Sequence, residues 1–447
     1  MSIRSTVAAA AGKSSYWFLH TFLHGGSSLP GKITTAIDPN ILNAFGKKYD
    51  VVIITGTNGK TLTTALSVRV LQQKYDSVLT NPTGSNMEQG IVTTFITAHK
   101  SKRGKTLAIL EVDEANVVKV TKYITPIAFV FTNLFRDQMD RYGEIYTTYD
   151  KILAGVKLAP DATIIANGDE QIFNSRELPN PIIYYGFNHE LAKDVKAPAN
   201  TDGLLCPKCN HILHYGFITY ANLGDYFCPH CGFRRPTLNY QVNKLIAQTP
   251  TSSTFEIDHH EFTVQIGGLY NVYNALAAYA LGRFLDVSAE QIQTAFAADK
   301  KVFGRQEVID VDGKKVTLIL VKNPVGLNQV LDMILTDKDP FSFVALLNAN
   351  YADGIDTSWI WDGNFEKLQQ HDIPAFMTGG ERYKDITFRL KVAGVDDPVI
   401  EPDLTKAIDK IKDLPTEKVY ILATYTAVLQ LRKQLADKGY IKEGMEA

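Results

Sequence analysis

The stretch Thr55-Gly56-Thr57-Asn58-Gly59-Lys60-Thr61 decides the fold of this chain. It follows an apolar, β-branched run of strand length at residues 49–54 and precedes helical apolar spacing at residues 62–71. A glycine turn between a strand and a helix directs backbone N–H groups and the helix N-terminus at a polyphosphate. The sequence therefore predicts nucleotide binding in an α/β domain, in preference to a chance glycine turn.

Each part of this phosphate loop has an expected task. The two glycines let the backbone turn its N–H groups inward, and Lys60 brings a positive charge to the phosphates. The Thr61 hydroxyl is expected to ligate Mg²⁺. The residues assigned to ATP in this loop are Gly56, Thr57, Asn58, Gly59, Lys60 and Thr61.

Polar residues follow two further apolar runs that have the character of buried parallel strands, residues 107–110 and 127–131. Glu111 ends the first run and is expected to hold Mg²⁺ opposite Thr61, since ligands bind at the carboxyl ends of such strands. The alternative is a solvated helix start. The segment 132–143 follows the second run, and its charged residues are candidates for metal, substrate or phosphate contacts: Arg136, Asp137, Asp140 and Arg141.

Length and charge bound the remaining possibilities. At 447 residues the chain is long enough for two or three domains, and its net charge of −2 gives no general attraction to nucleic acid or anionic membrane. No apolar run approaches the ~20 residues that span a bilayer. The apolar run at residues 7–11 is too short for a secretory signal and is interpreted as part of a packing helix. The expected location is the cytoplasm, with peripheral association at the inner face of the membrane left open.

All four cysteines lie in two Cys-x-x-Cys pairs separated by 18 residues. Each pair can turn two thiolates toward one point, and two pairs complete a closed tetrahedral site. The sequence therefore predicts a structural Zn²⁺, with two disulfides as the alternative and the nearby histidines 211, 214 and 230 as solvated loop residues. The predicted ligands are Cys206, Cys209, Cys228 and Cys231.

The order of apolar runs and helical patterns predicts an α/β architecture in two main parts. A lead segment at 1–45 precedes a central ATP-binding domain at 46–302, into which a zinc ribbon is inserted at 203–236. Alternating residues between 238 and 266 predict antiparallel strands, and residues 270–285 predict an Ala-rich helix. After a hinge near residue 303, a second α/β domain is expected at 303–447.

Several of these segments, in order from about residue 50 to the end, resemble the Mur ligases, the ATP-dependent ligases of peptidoglycan assembly. The resemblance implies a P-loop ATPase domain followed by a Rossmann-like domain. It also implies that Asn271 and Arg305 contact the nucleotide. The matching segments are Gly56 to Thr61, Leu110-Glu111, Thr132 to Gly143, Gly268 to Ala278, Gly304-Arg305-Gln306-Glu307 and Lys322-Asn323-Pro324.

The chain also departs from the family pattern. About 50 residues precede the phosphate loop, too few for a UDP-sugar-binding domain, so a lipid-linked muropeptide is an expected substrate. Gln138 and Lys322 replace family histidines, and Leu153 stands at the carbamyl-lysine position, which leaves a second metal open. The zinc ribbon is foreign to the peptide-forming members.

This combination is similar to family members that amidate the D-glutamate α-carboxylate of the lipid II stem peptide. The resemblance implies ATP, Mg²⁺ and an acyl phosphate intermediate, with ammonia from a glutaminase partner. Lys60 and Glu111 would act on the phosphates. Asp356 is expected either to orient a catalytic histidine of that partner or to contact the nucleotide, and the alternative is a helix N-cap for residues 358–360.

Two other functions stay open from the sequence. One is an amino-acid-adding ligase of the Mur or folylpolyglutamate type, which would need no partner. The other is a zinc-ribbon protein that binds nucleic acid, for which only Arg234-Arg235 offers a basic footprint, so no nucleic-acid partner is expected.

Overall fold

Two large β-sheets flanked by helices form most of the protein. A computed structural model describes residues 2–22, 28–81, 84–98, 106–136, 145–188, 196–197, 203–298 and 306–441. The helices in these ranges are α1 (Ile3–Phe22), α2 (Leu29–Ile37), α3 (Ile41–Gly46), α4 (Lys60–Leu71), α5 (Glu88–Thr97), α6 (Val117–Thr121), α7 (Ile145–Val156), α8 (Leu269–Phe284), α9 (Ala289–Ala297), α10 (Pro324–Ile334), α11 (Tyr383–Val392), α12 (Leu404–Lys412) and α13 (Tyr425–Asp437). Short 3₁₀ turns lie at Glu114–Asn116, Gln171–Asn174, Ser358–Asp362 and Phe365–Gln370.

The strands divide between a nine-stranded, a six-stranded and a two-stranded sheet. In chain order they are β1 (Tyr49–Thr55), β2 (Val78–Thr80), β3 (Thr106–Glu111), β4 (Ala128–Phe131), β5 (Thr163–Asn167), β6 (Ile182–Phe187), β7 (His214–Tyr220), β8 (Leu223–Phe227), β9 (Tyr240–Thr249), β10 (Ser252–Ile257), β11 (His260–Val264), β12 (Glu307–Val311), β13 (Lys314–Leu320), β14 (Phe341–Leu346), β15 (Phe376–Gly379), β16 (Val399–Glu401) and β17 (Lys418–Ala423). The nine-stranded order is β11-β10-β9-β6-β5-β4-β1-β3-β2, and the six-stranded order is β12-β13-β17-β14-β15-β16.

The nine-stranded sheet carries the phosphate loop on β1, the third strand from one edge. Strand β1 pairs in parallel with β3 on one side and with β4 on the other. Apolar runs without alternation predicted parallel strands covered on both faces, and β4, buried along its whole length, confirms this. Because β1, β3 and β4 run in the same direction, their carboxyl ends meet at one edge, which collects residues 55–59, Glu111 and Thr132.

The predicted antiparallel strands extend the same sheet instead of forming a separate one. Strands β9, β10 and β11 pair in antiparallel fashion, as their alternating residues predicted. Strand β9 also pairs in parallel with β6, which joins this ribbon to the parallel strands. The second sheet is parallel except for its edge strand β12, which pairs in antiparallel fashion with β13.

The first three helices pack beside the central sheet. Helix α1 buries Ser5, Ala8 and Gly12. Gly12 sits so close to α2 and α5 that an added Cβ would lie 2.0 Å from Thr34 Oγ1 and 2.6 Å from Ile96 Cδ1. In the described ranges, no helix combines the length and apolar character needed to cross a bilayer.

The ribbon that carries the cysteines is fixed to the central sheet through a buried ion pair. Arg235 lies 2.9 Å from Asp169 and also donates to the Phe187 carbonyl at 2.7 Å. Asp169 is fully buried and accepts further hydrogen bonds from the Tyr273 hydroxyl at 2.6 Å and the Phe187 N–H at 2.8 Å. Arg235 is therefore engaged inside the protein, which leaves Arg234 as the exposed member of the predicted basic footprint.

Replacing Arg235 with methionine is expected to destabilise the protein by on the order of 3–5 kcal/mol, because the carboxyl group of Asp169 would be left in the interior without its cation. Urea unfolding of the purified chain measures this loss. Arg234→Met removes the neighbouring exposed arginine and is the matched control, expected within about 0.5 kcal/mol of the parent. Equal stability of the two variants would show that the Asp169 contact contributes nothing.

Candidate active site and metal centre

The phosphate loop turns between β1 and α4 at two glycines with positive φ, Gly56 at +131° and Gly59 at +84°. A Cβ on Gly59 would lie 2.0 Å from Asn274 Oδ1, and one on Gly56 would lie 2.3 Å from Thr132 Oγ1. Both positions therefore need glycine for the backbone path and for the close approach of neighbouring elements. The spacing of the motif predicted the first requirement, and the packing adds the second.

Lys60 lies in the first turn of α4 with 8% of its surface exposed. Its ammonium group donates to the Gly56 carbonyl, to the Thr57 carbonyl at 3.3 Å and to Glu114 Oε1 at 3.1 Å. Burial raises the pKa of Glu114, and the charge of Lys60 opposes that rise. The structure thus holds the loop cation against a buried carboxylate at the place where phosphates would bind.

Glu114 has no predicted role. It lies in a 3₁₀ turn three residues beyond Glu111, for which the alternative prediction was a solvated helix start. The burial of Glu114 excludes solvation for this residue. Its only sequence signal was an acidic residue close after a strand end.

Glu111 ends β3 and lies beside Ile54 in the strand register, one strand from the phosphate loop. Asn86 Nδ2 donates to its carboxylate at 3.1 Å, and the Asn81 side chain bonds both its backbone N–H and its carbonyl at 2.9 Å. The Thr61 hydroxyl and the Glu111 carboxylate are hard oxygen donors of the kind Mg²⁺ prefers. The buried Thr55 Oγ1, directly before the loop, has no hydrogen-bond partner among the described residues. One polar oxygen at this edge of the sheet is therefore available to a ligand. The donor set therefore fits Mg²⁺.

The carboxyl end of β4 holds the loop from the other side. The Thr57 N–H donates to the Asn133 carbonyl at 2.8 Å, and the Asn58 N–H donates to Asn133 Oδ1 at 2.9 Å. Thr132 Oγ1 donates to the Asn58 carbonyl at 2.8 Å. The predicted polar segment 132–143 thus contacts the loop through its first residues, while Asp137, Gln138, Asp140 and Arg141 lie outside the described residues.

Helix α8 contacts the start of α4 through Asn274, which also bonds the predicted nucleotide residue Asn271. Thr63 Oγ1 donates to Asn274 Oδ1 at 3.2 Å, and Asn274 in turn donates to Asn271 Oδ1 at 3.1 Å. Asn271 is buried and donates to the Gly267 carbonyl at 2.6 Å, so both ends of its amide bond to protein here. Arg305, the other predicted nucleotide residue, lies outside the described residues.

The second sheet's domain meets the phosphate loop directly. The amides of Asn58 and Asn323 bond each other, with Asn323 Nδ2 at 2.9 Å from Asn58 Oδ1. Arg136 pairs with Asp362 across the same boundary. Between these contacts lies a cavity of about 110 Å³, lined by Arg136, Lys322, Asn323, Pro324, Asp353, Asp356, Ser358, Trp359 and Asp362.

Asp356 lies exposed on the rim of this cavity. Its carboxylate accepts hydrogen bonds from the Ser358 N–H at 2.8 Å and the Ser358 hydroxyl at 2.9 Å. The Ser358 N–H, the largest cause, lowers the pKa of Asp356 together with the hydroxyl and the charge of Arg136. Asp356 thus bonds the first residue of the 3₁₀ turn, whose N-cap residue is Thr357, and a charged carboxylate still faces the cleft.

Asp353 has a different place in the same loop. It is buried, accepts from the Asn350 N–H at 3.0 Å, and accepts from the Thr426 N–H at 2.7 Å. These bonds tie the loop after β14 to the start of α13. Asp353 therefore holds the backbone that presents Asp356.

The four cysteines converge on one point, as their spacing predicted. Cys206 and Cys231 have their Sγ atoms 3.6 Å apart, Cys209 and Cys228 have theirs 3.5 Å apart, and all four lie within 4.8 Å of one another. Ligands about 2.3 Å from one metal in a tetrahedron lie about 3.8 Å apart. All four are free thiols, so the disulfide alternative is not what the structure contains.

The two Cys-x-x-Cys turns are built alike. Asn210 and Gly232, each one residue past a pair, take positive φ angles of 60° and 76°. Their N–H groups donate to the carbonyls of Cys206 and Cys228, and the Lys208 N–H points at Cys206 Sγ at 3.4 Å. The exposed rings of His211 and His230 stack 3.7 Å apart beside Cys209. The geometry fits a four-thiolate metal site with no open position.

Comparison with known proteins agrees with this arrangement. The family model described as Mur ligase middle domain matches residues 54–219, and that described as MurT ligase C-terminal matches residues 320–428. "Lipid II isoglutaminyl synthase (glutamine-hydrolyzing) subunit MurT" of Streptococcus pneumoniae is 48% identical over 447 residues, covering 100% of both chains. The chain belongs to the MurT family of Mur ligases.

Other relatives place the MurT family within the wider fold. The MurT subunit of Staphylococcus aureus strain COL is 34% identical over 92% of this chain and 93% of its own. Among solved structures, a pseudomurein peptide ligase type C from Methanothermus fervidus superposes with a TM-score of 0.67 at 20% identity, covering 90% of this chain and 81% of that chain. MurF ligase from Thermotoga maritima, solved in complex with ADP, gives a TM-score of 0.61 at 14% identity, covering 91% of this chain and 85% of that chain. The predicted Mur-ligase-like α/β fold is confirmed.

Proposed function

We propose that this chain is the synthetase subunit of a glutamine-dependent amidotransferase that acts on lipid II, converting the D-glutamate α-carboxylate of the stem peptide to an amide. The full-length 48% identity to a protein named as a subunit of lipid II isoglutaminyl synthase carries this proposal. The phosphate loop, with its buried lysine and adjoining carboxylates, supports an ATP-dependent reaction.

The chemistry requires that a poor electrophile be activated. A carboxylate oxygen of D-glutamate attacks the γ-phosphorus of ATP, ADP leaves, and an acyl phosphate forms. Ammonia then attacks the acyl carbon, the bond to the phosphate oxygen breaks, and the nitrogen loses a proton to give the amide and inorganic phosphate. The first step passes through a loose transition state, so it depends on positioning and on charge neutralisation.

The residues of the loop meet these needs in the proposal. The N–H groups at the start of α4 hold the phosphates, while those of Thr57 and Asn58 stay bonded to Asn133. Lys60 exchanges its contact with Glu114 for the transferred phosphoryl oxygens. Mg²⁺, held by Thr61 and Glu111, would neutralise further charge on those oxygens. Arg136 and Lys322 line the cleft beside the loop and place cations where the substrate carboxylate must approach.

We further propose how the parts of the chain divide these tasks. The lead segment at 1–45 precedes the ATP-binding domain at 46–302, and residues 303–447 form the second lobe of the cleft. The ribbon at 203–236 would hold a structural Zn²⁺, since its four thiolates leave no coordination position for a substrate. Asn271 and Arg305 stay proposed nucleotide contacts. Because lipid II is anchored in a membrane, the proposed reaction takes place at the cytoplasmic face of that membrane. The proposed partner is a glutaminase subunit.

ADP release by the purified chain with lipid II and Mg²⁺ tests the proposed reaction. Ammonium should support turnover without any amino acid, and glutamine should replace ammonium only after a glutaminase subunit is added. ADP release that requires an added amino acid and no partner would instead identify a peptide-forming ligase. Turnover with ammonium measures the activity of the synthetase alone. Turnover with glutamine measures its coupling to the partner.

Asp356→Asn tests the proposed partner contact. We expect glutamine-dependent turnover of the two-subunit complex to fall at least roughly 10-fold, because a carboxylate that orients a catalytic histidine loses its charge, while ammonium-dependent turnover is retained. Asp356→Ser keeps a capping side chain without the charge and should show the same loss. Asp396→Asn, at an exposed position in the same domain, is the control.

The outcomes separate the three readings of Asp356. Intact glutamine-dependent turnover in the asparagine variant would contradict the partner role. A raised KM for ATP in the ammonium reaction would indicate the nucleotide contact instead. Full activity in both variants, each of which keeps a capping side chain, would leave helix capping as its sole function.

A further inference from the structure

Helix α1 presents a regular apolar face away from the protein body. Its inner face is fixed by Ser5, Ala8 and Gly12 against α2 and α5. The outward residues are 53% to 87% exposed and follow helical spacing along one side of the helix: Ile3, Val7, Trp17, Phe18 and Phe22. A surface helix that is apolar on its outer side needs a covering environment or exposes that area to water.

The last third of this face is an aromatic cluster. The rings of Phe18 and Phe22 have centroids 5.1 Å apart, and those of Trp17 and Phe22 lie 6.0 Å apart, nearly perpendicular. We call Trp17, Phe18 and Phe22 the aromatic ridge. Tryptophan and phenylalanine on an amphipathic helix are typical of segments that lie in the interfacial layer of a bilayer.

The charged residues of the segment that carries the ridge are of one sign. Through residue 37 the chain carries Arg4, Lys13 and Lys32 and no aspartate or glutamate, although the whole chain has a net charge of −2. The first carboxylate, Asp38, is buried and accepts a hydrogen bond from Ser5 Oγ at 2.6 Å. The segment is therefore complementary to an anionic surface.

Contacts through α2 and α5 connect α1 with the edge of the sheet that holds the phosphate loop. Gly12 is the last buried residue of α1 before the ridge. A Cβ added to it would lie 3.4 Å from the Pro30 carbonyl oxygen at the start of α2. An added Cβ on the next residue, Gly31, would lie 1.8 Å from the Gln89 carbonyl in the first turn of α5. Asn86, just before α5, donates to Glu111. These contacts connect the helix that carries the ridge with the proposed Mg²⁺ residue Glu111.

We propose that the outward face of α1 docks the protein on an anionic bilayer, with the aromatic ridge in the interfacial layer and the basic side chains toward the headgroups. The proposal rests on the proposed function, because a lipid-linked substrate must be met at a membrane. It identifies the surface that brings the catalytic edge to that substrate.

Flotation of the full chain with vesicles tests the docking. We expect the protein to float with vesicles of phosphatidylglycerol and phosphatidylcholine and to float weakly with phosphatidylcholine alone, with binding reduced by salt. Trp17→Ser/Phe18→Ser/Phe22→Ser should lower vesicle partitioning on the order of 10-fold or more, and Lys13→Glu should weaken it on anionic vesicles only. Phe388→Ser/Val392→Ser removes exposed apolar residues from the other domain and is the matched control.

Three results would overturn the proposal: no flotation of the parent chain, equal flotation of the triple variant, or equal loss in the control. If the ridge instead covers the partner subunit, the triple variant would float normally and lose glutamine-dependent turnover. Amidation of lipid II in vesicles should be slowed in the triple variant while amidation of a lipid-free muropeptide is unchanged. Absence of amidation with either substrate in the parent chain would contradict the proposed function and leave the flotation result standing on its own.

Discussion

Lys60→Met is expected to reduce ATP-dependent turnover by roughly 10²- to 10³-fold, the loss that follows removal of a positioned donor to a charged transition state. Lys60 is the buried cation of the phosphate loop, and its ammonium group already lies against the carbonyls of Gly56 and Thr57. Methionine keeps the length and the apolar stem of the side chain and removes the charge. Ammonium-dependent ADP release with lipid II measures the effect.

The substitution also affects stability, because Glu114 would lose its buried partner. Removing one member of a buried ion pair costs about 3–5 kcal/mol. Lys60→Met/Glu114→Gln removes both charges and should recover much of that stability while staying inactive. Glu114→Gln alone keeps the lysine and should retain turnover. A folded Lys60→Met variant with parental turnover would contradict the assignment of Lys60 to the phosphates.

Removal of metal from the ribbon is expected to have the second largest effect. Four thiolates that converge without a metal repel one another, and zinc binding to such sites contributes on the order of 10 kcal/mol in isolated fingers. The ribbon's own core is small, built from Cys206, Leu213, Tyr215, Ile218, Tyr226 and Cys228. We therefore expect Cys206→Ser, or treatment with a strong chelator, to unfold the ribbon and lower the midpoint of thermal unfolding by several degrees.

Metal analysis of the purified chain gives the direct reading of this prediction. One zinc per chain is expected in the parent and almost none in Cys206→Ser. His211→Ala/His230→Ala, which removes the stacked histidines beside Cys209, should keep its zinc. Loss of zinc from the histidine variant would show that the ligand set is not the four cysteines, and a zinc-free parent of normal stability would contradict the metal site altogether.

The sequence predicted those features of the fold that have a local pattern. Apolar runs such as residues 107–110 become buried parallel strands because both faces of the sheet are covered by helices. The phosphate loop and the cysteine pairs were predicted in the same way, because the geometry of each follows from residue types and spacing within a few positions. Each of these features can be read from one short segment.

Long-range pairings could not be predicted in this way. Arg235 and Asp169 are 66 residues apart, and Asn58 and Asn323 are 265 apart, so no local spacing connects them. The burial of Glu114 could not be predicted for a different reason. An acidic residue near a strand end gives the same sequence pattern whether it is solvated or buried. The partnership of Asn274 with Thr63 likewise depends on how α8 packs against α4.

The most direct test of the proposed reaction is the mass of lipid II after parallel incubations with the purified chain, ATP, Mg²⁺ and either ordinary or nitrogen-15 ammonium. Conversion of the D-glutamate acid to its amide should make lipid II lighter by about one mass unit with ordinary ammonium, and the product made with nitrogen-15 should be heavier than that one by about one unit, with the label located at the α-position by fragmentation. Unchanged lipid II despite ADP release, or a product heavier by a whole amino-acid residue, would contradict amidation by this chain.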